Sequence, residues 1–164
     1  MLIFAIDPGS KQSGYTIWSP ESGFFDFGKV PNEKVVSLLK SPNLQVADVV
    51  IEKITLYQRA DENIHDTVLW CGRYVQVCKD NAVTPVLAPR SDVKKILLPG
   101  LKPSDRNDST VKAYLKDRFA PGVSNHGKGT KSDPGYFYGF KADVWQAFAL
   151  AVAYHDSLVE AVAA

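Results

Sequence analysis

Apolar residues arrive along this chain first in short continuous runs and later at helical spacing. Leu2-Ile3-Phe4-Ala5-Ile6 is unbroken and ends in Asp7-Pro8-Gly9, and the apolar residues return after Gly14 as Tyr15-Thr16-Ile17-Trp18. Strands are therefore predicted over 2–7 and 14–19, and a third over 23–30, where alternation is partial. Together they read as an antiparallel meander. Val35, Val36, Leu38 and Leu39 then predict a short helix over 33–40, closed by Ser41-Pro42-Asn43. A second buried run over 46–53 again ends in an acid, Glu52.

Ile64, Val68, Cys71, Tyr74, Val75 and Cys78 recur at intervals of three and four, so a long amphipathic helix is predicted over 61–81. Leu69, Trp70 and Val77 widen its apolar surface, which leaves two readings: ordinary core packing, or a partner helix from a second subunit. A short strand between prolines follows over 84–89, and strand–helix–strand in that order implies parallel pairing by a right-handed crossover. Helices are predicted over 91–98 and 108–119. A long polar loop containing Tyr136, Phe137 and Tyr138 precedes an Ala-rich helix over 141–154 that is apolar nearly all round. The expected architecture is α/β, a mixed five-stranded sheet (antiparallel meander plus parallel strands) flanked by helices, in a single domain over 1–164.

Three acids stand out by position. Asp7 and Glu52 each end a buried strand, and Asp143 opens the buried terminal helix. Each has an ordinary explanation, Asp7 as a turn initiator and Asp143 as a helix cap. A mixed sheet can also bring all three to one edge, where such oxygen ligands suit Mg²⁺ or Mn²⁺. Two such ions can activate a water and stabilise the leaving oxygen of a phosphodiester.

Net charge is only +1, but it is unevenly spread: residues 90–131 hold ten Lys or Arg against four Asp, leaving nine basic against fourteen acidic residues elsewhere. That segment reads either as a solvated basic face or as a surface for nucleic-acid phosphates. Lys94, Lys102, Arg106, Lys112 and Lys131 are the candidate contacts, with Arg106 and Lys112 expected nearest the scissile phosphate. The aromatics of the loop through Phe140 read as packing onto the core or as stacking on exposed bases. Cys71 and Cys78 are not at disulfide or zinc spacing and are read as reduced. No apolar run is long enough to span a bilayer, and with no basic lead before the first strand a cytosolic (cytoplasmic) protein is expected.

Ile6-Asp7-Pro8-Gly9-Ser10 with Gly14-Tyr15, Val50-Ile51-Glu52 before a long helix, and Ala142-Asp143 opening an Ala-rich helix resemble, in that order, a RuvC-type Holliday junction resolvase of the RNase H-like superfamily. The resemblance implies a homodimeric, Mg²⁺- or Mn²⁺-dependent endonuclease with Asp7, Glu52 and Asp143 as catalytic metal ligands. It also implies paired nicks across a four-way DNA junction. Family members carry an acid or His three residues after the last aspartate; here that position is Gln146, a neutral metal ligand. The aromatic that the family places just after its glutamate has Tyr57 as its nearest counterpart, a candidate DNA contact. The loop over 120–140 is longer than in typical bacterial members and is similar to a phage-borne branch. Two alternatives differ in substrate or activity: an RNase H-like nuclease for other branched DNA such as flaps and forks, and a catalytically weakened DNA-binding relative.

Overall fold

A computed structural model describes residues 1–44, 47–55 and 61–163. Its strands are β1 (Ile3–Asp7), β2 (Gln12–Ser19), β3 (Gly23–Pro31), β4 (Asp48–Lys53) and β5 (Val86–Pro89). Its helices are α1 (Asn32–Leu39), α2 (Glu62–Asp80), α3 (Arg90–Leu97), α4 (Asp108–Phe119) and α5 (Ala142–Ala163). The strands form one sheet in the order β3-β2-β1-β4-β5. The first three run as the antiparallel meander, while β1–β4 and β4–β5 are parallel. This is the mixed five-stranded sheet expected from the residues, in the form that the family resemblance implies.

Alternation sorts the strand side chains onto two cores. Ile3, Ala5, Trp18 and Val50 face α5, α3 and α4, whereas Phe4, Ile6, Tyr15, Ile17, Val49 and Ile51 face α1 and α2. On the second face α2 buries only Tyr74, Val77 and Cys78; Leu69 stays 71% exposed, so the wide apolar surface of this helix is not used up by the chain's own core. Cys71 and Cys78 are both free thiols. No helix among the described residues is long and apolar enough to cross a membrane.

One predicted boundary moves, and one predicted loop is packed. Helix α5 runs on to Ala163 because the sequence changes after Tyr154 from apolar all round to a helix with exposed residues on its outer side, not to a breaker. The loop over 120–140 is held by aromatic packing: Phe137 is buried, the Trp18 indole N–H donates to the Tyr136 hydroxyl at 3.0 Å, and Tyr136 stacks on Phe119 at 5.5 Å between centroids. Tyr136 and Phe137 thus belong to the core, and Tyr138 remains exposed.

One close approach places the last helix. Gly14 of β2 lies where a Cβ would fall 2.5–2.7 Å from the backbone and Cβ of Asp143, nearer than atoms can pack. The missing side chain lets the start of α5 settle against the sheet beside Asp7, which pairs with Gly14. Gly14→Ala should force α5 and β2 apart and destabilise the protein by about 1–3 kcal/mol, read as a lowered midpoint in thermal unfolding.

Candidate active site

The sheet register assembles the site. Ile6 pairs with Ile51, so the next residues, Asp7 and Glu52, leave neighbouring parallel strands side by side and on the face toward α5. Glu52 in turn pairs with Ala88 of β5, and Arg90 follows that strand directly as the first residue of α3. The two acids are deeply set, with side chains 12% and 11% exposed, against 31% for Asp143.

The turn that carries Asp7 is tied from below. The Ser13 hydroxyl accepts the Gly9 N–H at 3.2 Å and donates to Asn32 Oδ1 at 2.7 Å, with the Tyr74 hydroxyl 2.9 Å away; Asn32 Nδ2 donates to the Gly9 carbonyl at 2.9 Å. Ser13, Asn32 and Tyr74 are essentially buried, so β2, α1 and α2 jointly clamp the loop between the first two strands.

Electrostatics dominates the rest. Burial, and next the charge of Glu52, push the Asp7 carboxyl up to about 8; Asp143 adds to the rise and Arg90 opposes it. Arg90 Nη2 donates to Glu52 Oε2 at 3.0 Å and lies 3.5 Å from Asp7 Oδ1. Burial would lower the Arg90 pKa, but Glu52, then Asp7 and Asp108, hold it above its ordinary value. Across Asp7, Lys29 of β3 forms an ion pair with Asp143. Two hollows meet at Asp7. One, of about 550 Å³, is lined by Asp7, Glu52, Arg90, Lys94 and Arg106 among others; the other, of about 260 Å³, by Asp7, Lys29 and Asp143 with the turn between β1 and β2.

The basic candidates divide. Lys94 lines the larger hollow, its Nζ 2.6 Å from Asp108 Oδ1. Arg106 lines it too, while donating to the Leu98 and Pro99 carbonyls at 3.1 and 3.3 Å, which closes off the end of α3. Lys112 sits over the Trp145 ring, 4.9 Å from its centroid. Lys102 and Lys131 are exposed and, like Lys112, are not among the residues lining either hollow. Gln146, one turn after Asp143, borders a small void shared with Glu52, Arg90 and Lys94. Tyr57 lies outside the described residues. Arg90 and Lys29 were not singled out from the sequence, where Asp108 suggests only a helix cap, a place that Asn107 takes; the only signal was Arg90's place just after a proline-bounded strand.

Asp7 and Glu52 suit a hard divalent cation: two deep carboxylates whose crowding raises a pKa are the donor set that such an ion relieves, and Mg²⁺ uses few protein carboxylates beside water and phosphate. Among the described residues no three His, Cys, Asp or Glu stand at metal-holding spacing, Asp143 being drawn to Lys29 on the far side of Asp7.

A mixed sheet in this order, with acids at the ends of its parallel strands, is an RNase H-like fold. Within it, the chain is similar to the structure of RuvC from Thermus thermophilus, with a TM-score of 0.63 at 15% identity over 98% of this chain and 97% of that one. It is also similar to T. thermophilus RuvC in complex with Holliday junction substrate, with a TM-score of 0.64 at 15% identity over 98% and 96%. At this identity the likeness is one of fold. No family model and no curated protein sequence matches the chain.

The raised Asp7 pKa makes a signed prediction for the metal-free protein. Between about pH 4 and pH 8 the unfolded chain loses the Asp7 proton and the folded chain keeps it, so this group subtracts stability as pH rises. Asp7→Asn should therefore unfold at about the wild-type temperature near pH 4 and several degrees higher near pH 8, in chelator-treated protein followed by calorimetry.

Proposed function

We propose that this chain is a metal-dependent, structure-selective DNA endonuclease that resolves four-way junctions by paired nicks. The observation that carries the reading is the deep Asp7–Glu52 pair at the floor of a cleft bordered by Arg90, Lys94 and Arg106, in a fold shared with T. thermophilus RuvC in complex with Holliday junction substrate.

Asp7 and Glu52 would hold Mg²⁺ or Mn²⁺, with Asp143 and the neutral Gln146 as the further candidate ligands; Asp143 shares a hollow with Asp7, and Gln146 a small void with Glu52. Bound there, such ions lower the pKa of water and stabilise charge on the phosphoryl oxygens. The chain's own part is positioning. The Ser13–Asn32–Tyr74 clamp fixes the turn behind Asp7, and Lys94 and Arg106 draw a phosphate into the cleft. Lys102 and Lys131 are free to meet DNA phosphates farther out, and Lys112 can do so from its seat on Trp145. The exposed apolar side of α2 around Leu69 meets a second copy across a two-fold axis, which gives two sites at fixed separation for paired cuts. By its long 120–140 segment we read the chain as similar to a phage-borne branch of such resolvases, working in the cytoplasm.

Labelled four-way junction, flap, fork and plain duplex incubated with Mg²⁺ or Mn²⁺ test this reading. The junction is cut fastest, in paired nicks. Asp7→Asn, Glu52→Gln and Asp143→Asn each lower cleavage by roughly a thousandfold or more while junction binding is kept. Lys102→Gln and Lys131→Gln each reduce the slope of log affinity against log salt by about one. Wild-type cleavage by Asp7→Asn contradicts the reading. Tight junction binding by the native chain with no cutting in either metal identifies a weakened DNA-binding relative instead, for which neutral Gln146 and the Lys29–Asp143 ion pair are the favouring observations.

A further inference from the structure

Arg90 occupies the place where a cation would neutralise the two deep acids. Its Nη2 bonds Glu52 Oε2 at 3.0 Å and approaches Asp7 Oδ1 to 3.5 Å, and its Nε lies 3.0 Å from Glu52 Oε1. The hold is imperfect. A well-formed guanidinium–carboxylate fork satisfies two N–H groups in parallel, yet here the buried Nε–H has no aligned acceptor among the described residues. On the other side Nη1 is 3.9 Å from Asp108 Oδ2, at the first residue of α4, where Lys94 already engages the second oxygen at 2.6 Å. The Arg90 side chain is 39% exposed, so it can move toward Asp108 without opening the core.

We propose that Arg90 is a resident counter-ion with two seats: it holds Glu52 and stands beside Asp7 in the metal-free protein, and it moves onto Asp108 when a divalent cation takes its place. The inference rests on reading Asp7 and Glu52 as the metal-holding pair. Guanidinium and metal compete for the same oxygens, so the charge of Arg90 opposes metal binding, and Asp108 favours binding by receiving the displaced side chain. Once displaced, Arg90 stands at the cleft wall with Lys94 and Arg106, where its charge meets a substrate phosphate. Arg90 is thus a positioning residue, and the order of events is set by charge: metal first, phosphate second.

The test uses Mn²⁺ alone, without DNA, titrated into the full chain by electron paramagnetic resonance or calorimetry. Arg90→Gln binds Mn²⁺ more tightly than wild type by roughly three- to tenfold. Arg90→Lys falls between them, because an ammonium keeps the charge but not the reach from Glu52 to Asp7; it also supplies the measurement if the Gln variant does not fold. Asp108→Asn weakens Mn²⁺ binding when Arg90 is present and leaves it unchanged in the Arg90→Gln background. Equal weakening in both backgrounds overturns the second seat, since it would reflect only the lost charge acting through space. Mn²⁺ binding by Arg90→Gln no tighter than wild type overturns the proposal, and Glu52→Gln tells the two levels apart. If Glu52→Gln abolishes Mn²⁺ binding, the metal reading stands and only the counter-ion role fails; if it has no effect, both fail.

Discussion

Two carboxylates at the ends of neighbouring parallel strands, on the same face of a sheet, are the constraint on which the rest of this structure depends. Backbone register puts Asp7 beside Glu52, on the sheet face that packs against α5. Two ionised carboxylates set this deep would repel each other while losing their water, which is why Asp7 holds its proton far above the ordinary carboxylate range and Glu52 is met by a cation. The fold therefore needs positive charge at that edge. It takes it from Arg90 at the start of α3 and, across Asp7, balances Asp143 with Lys29 from β3.

The neighbouring elements make that crowding tolerable. The turn after Asp7 hangs on a closed set of buried hydrogen bonds from three different elements, so it cannot relax outward. Gly14 removes the one side chain that would keep α5 off the sheet, and the aromatic cluster around Phe137, Trp145 and Phe148 holds that helix in place. A rigid turn and crowded carboxylates are together what a bound cation would relieve, as the proposed metal-dependent function requires.

Much of this was legible before the structure. Apolar runs that end in acids are local signals, and Asp7, Glu52 and Asp143 could be picked out because each sits at an element end. The order of strands and helices followed from periodicity, down to the 108–119 helix. The cations were hidden because their proximity is set by pairing rather than by sequence distance. Arg90 reaches Glu52 only through the β4–β5 register, and Lys29 reaches Asp143 only because β3 lies against β2 beside Gly14. A count of charge along 90–131 likewise says nothing of direction. It grouped Lys112, which lies over Trp145, with Lys94 and Arg106, which line the cleft. For the loop over 120–140, packing of its aromatics onto the core was one of the two readings open, and Tyr136 and Phe137 take it.

The most direct measurement is anomalous diffraction from crystals of the protein grown with Mn²⁺. The account predicts a metal peak between the carboxylates of Asp7 and Glu52, with the Arg90 guanidinium turned away from Glu52 toward Asp108. A structure at saturating Mn²⁺ with no peak at that pair, and with Arg90 still bonded to Glu52, would contradict it.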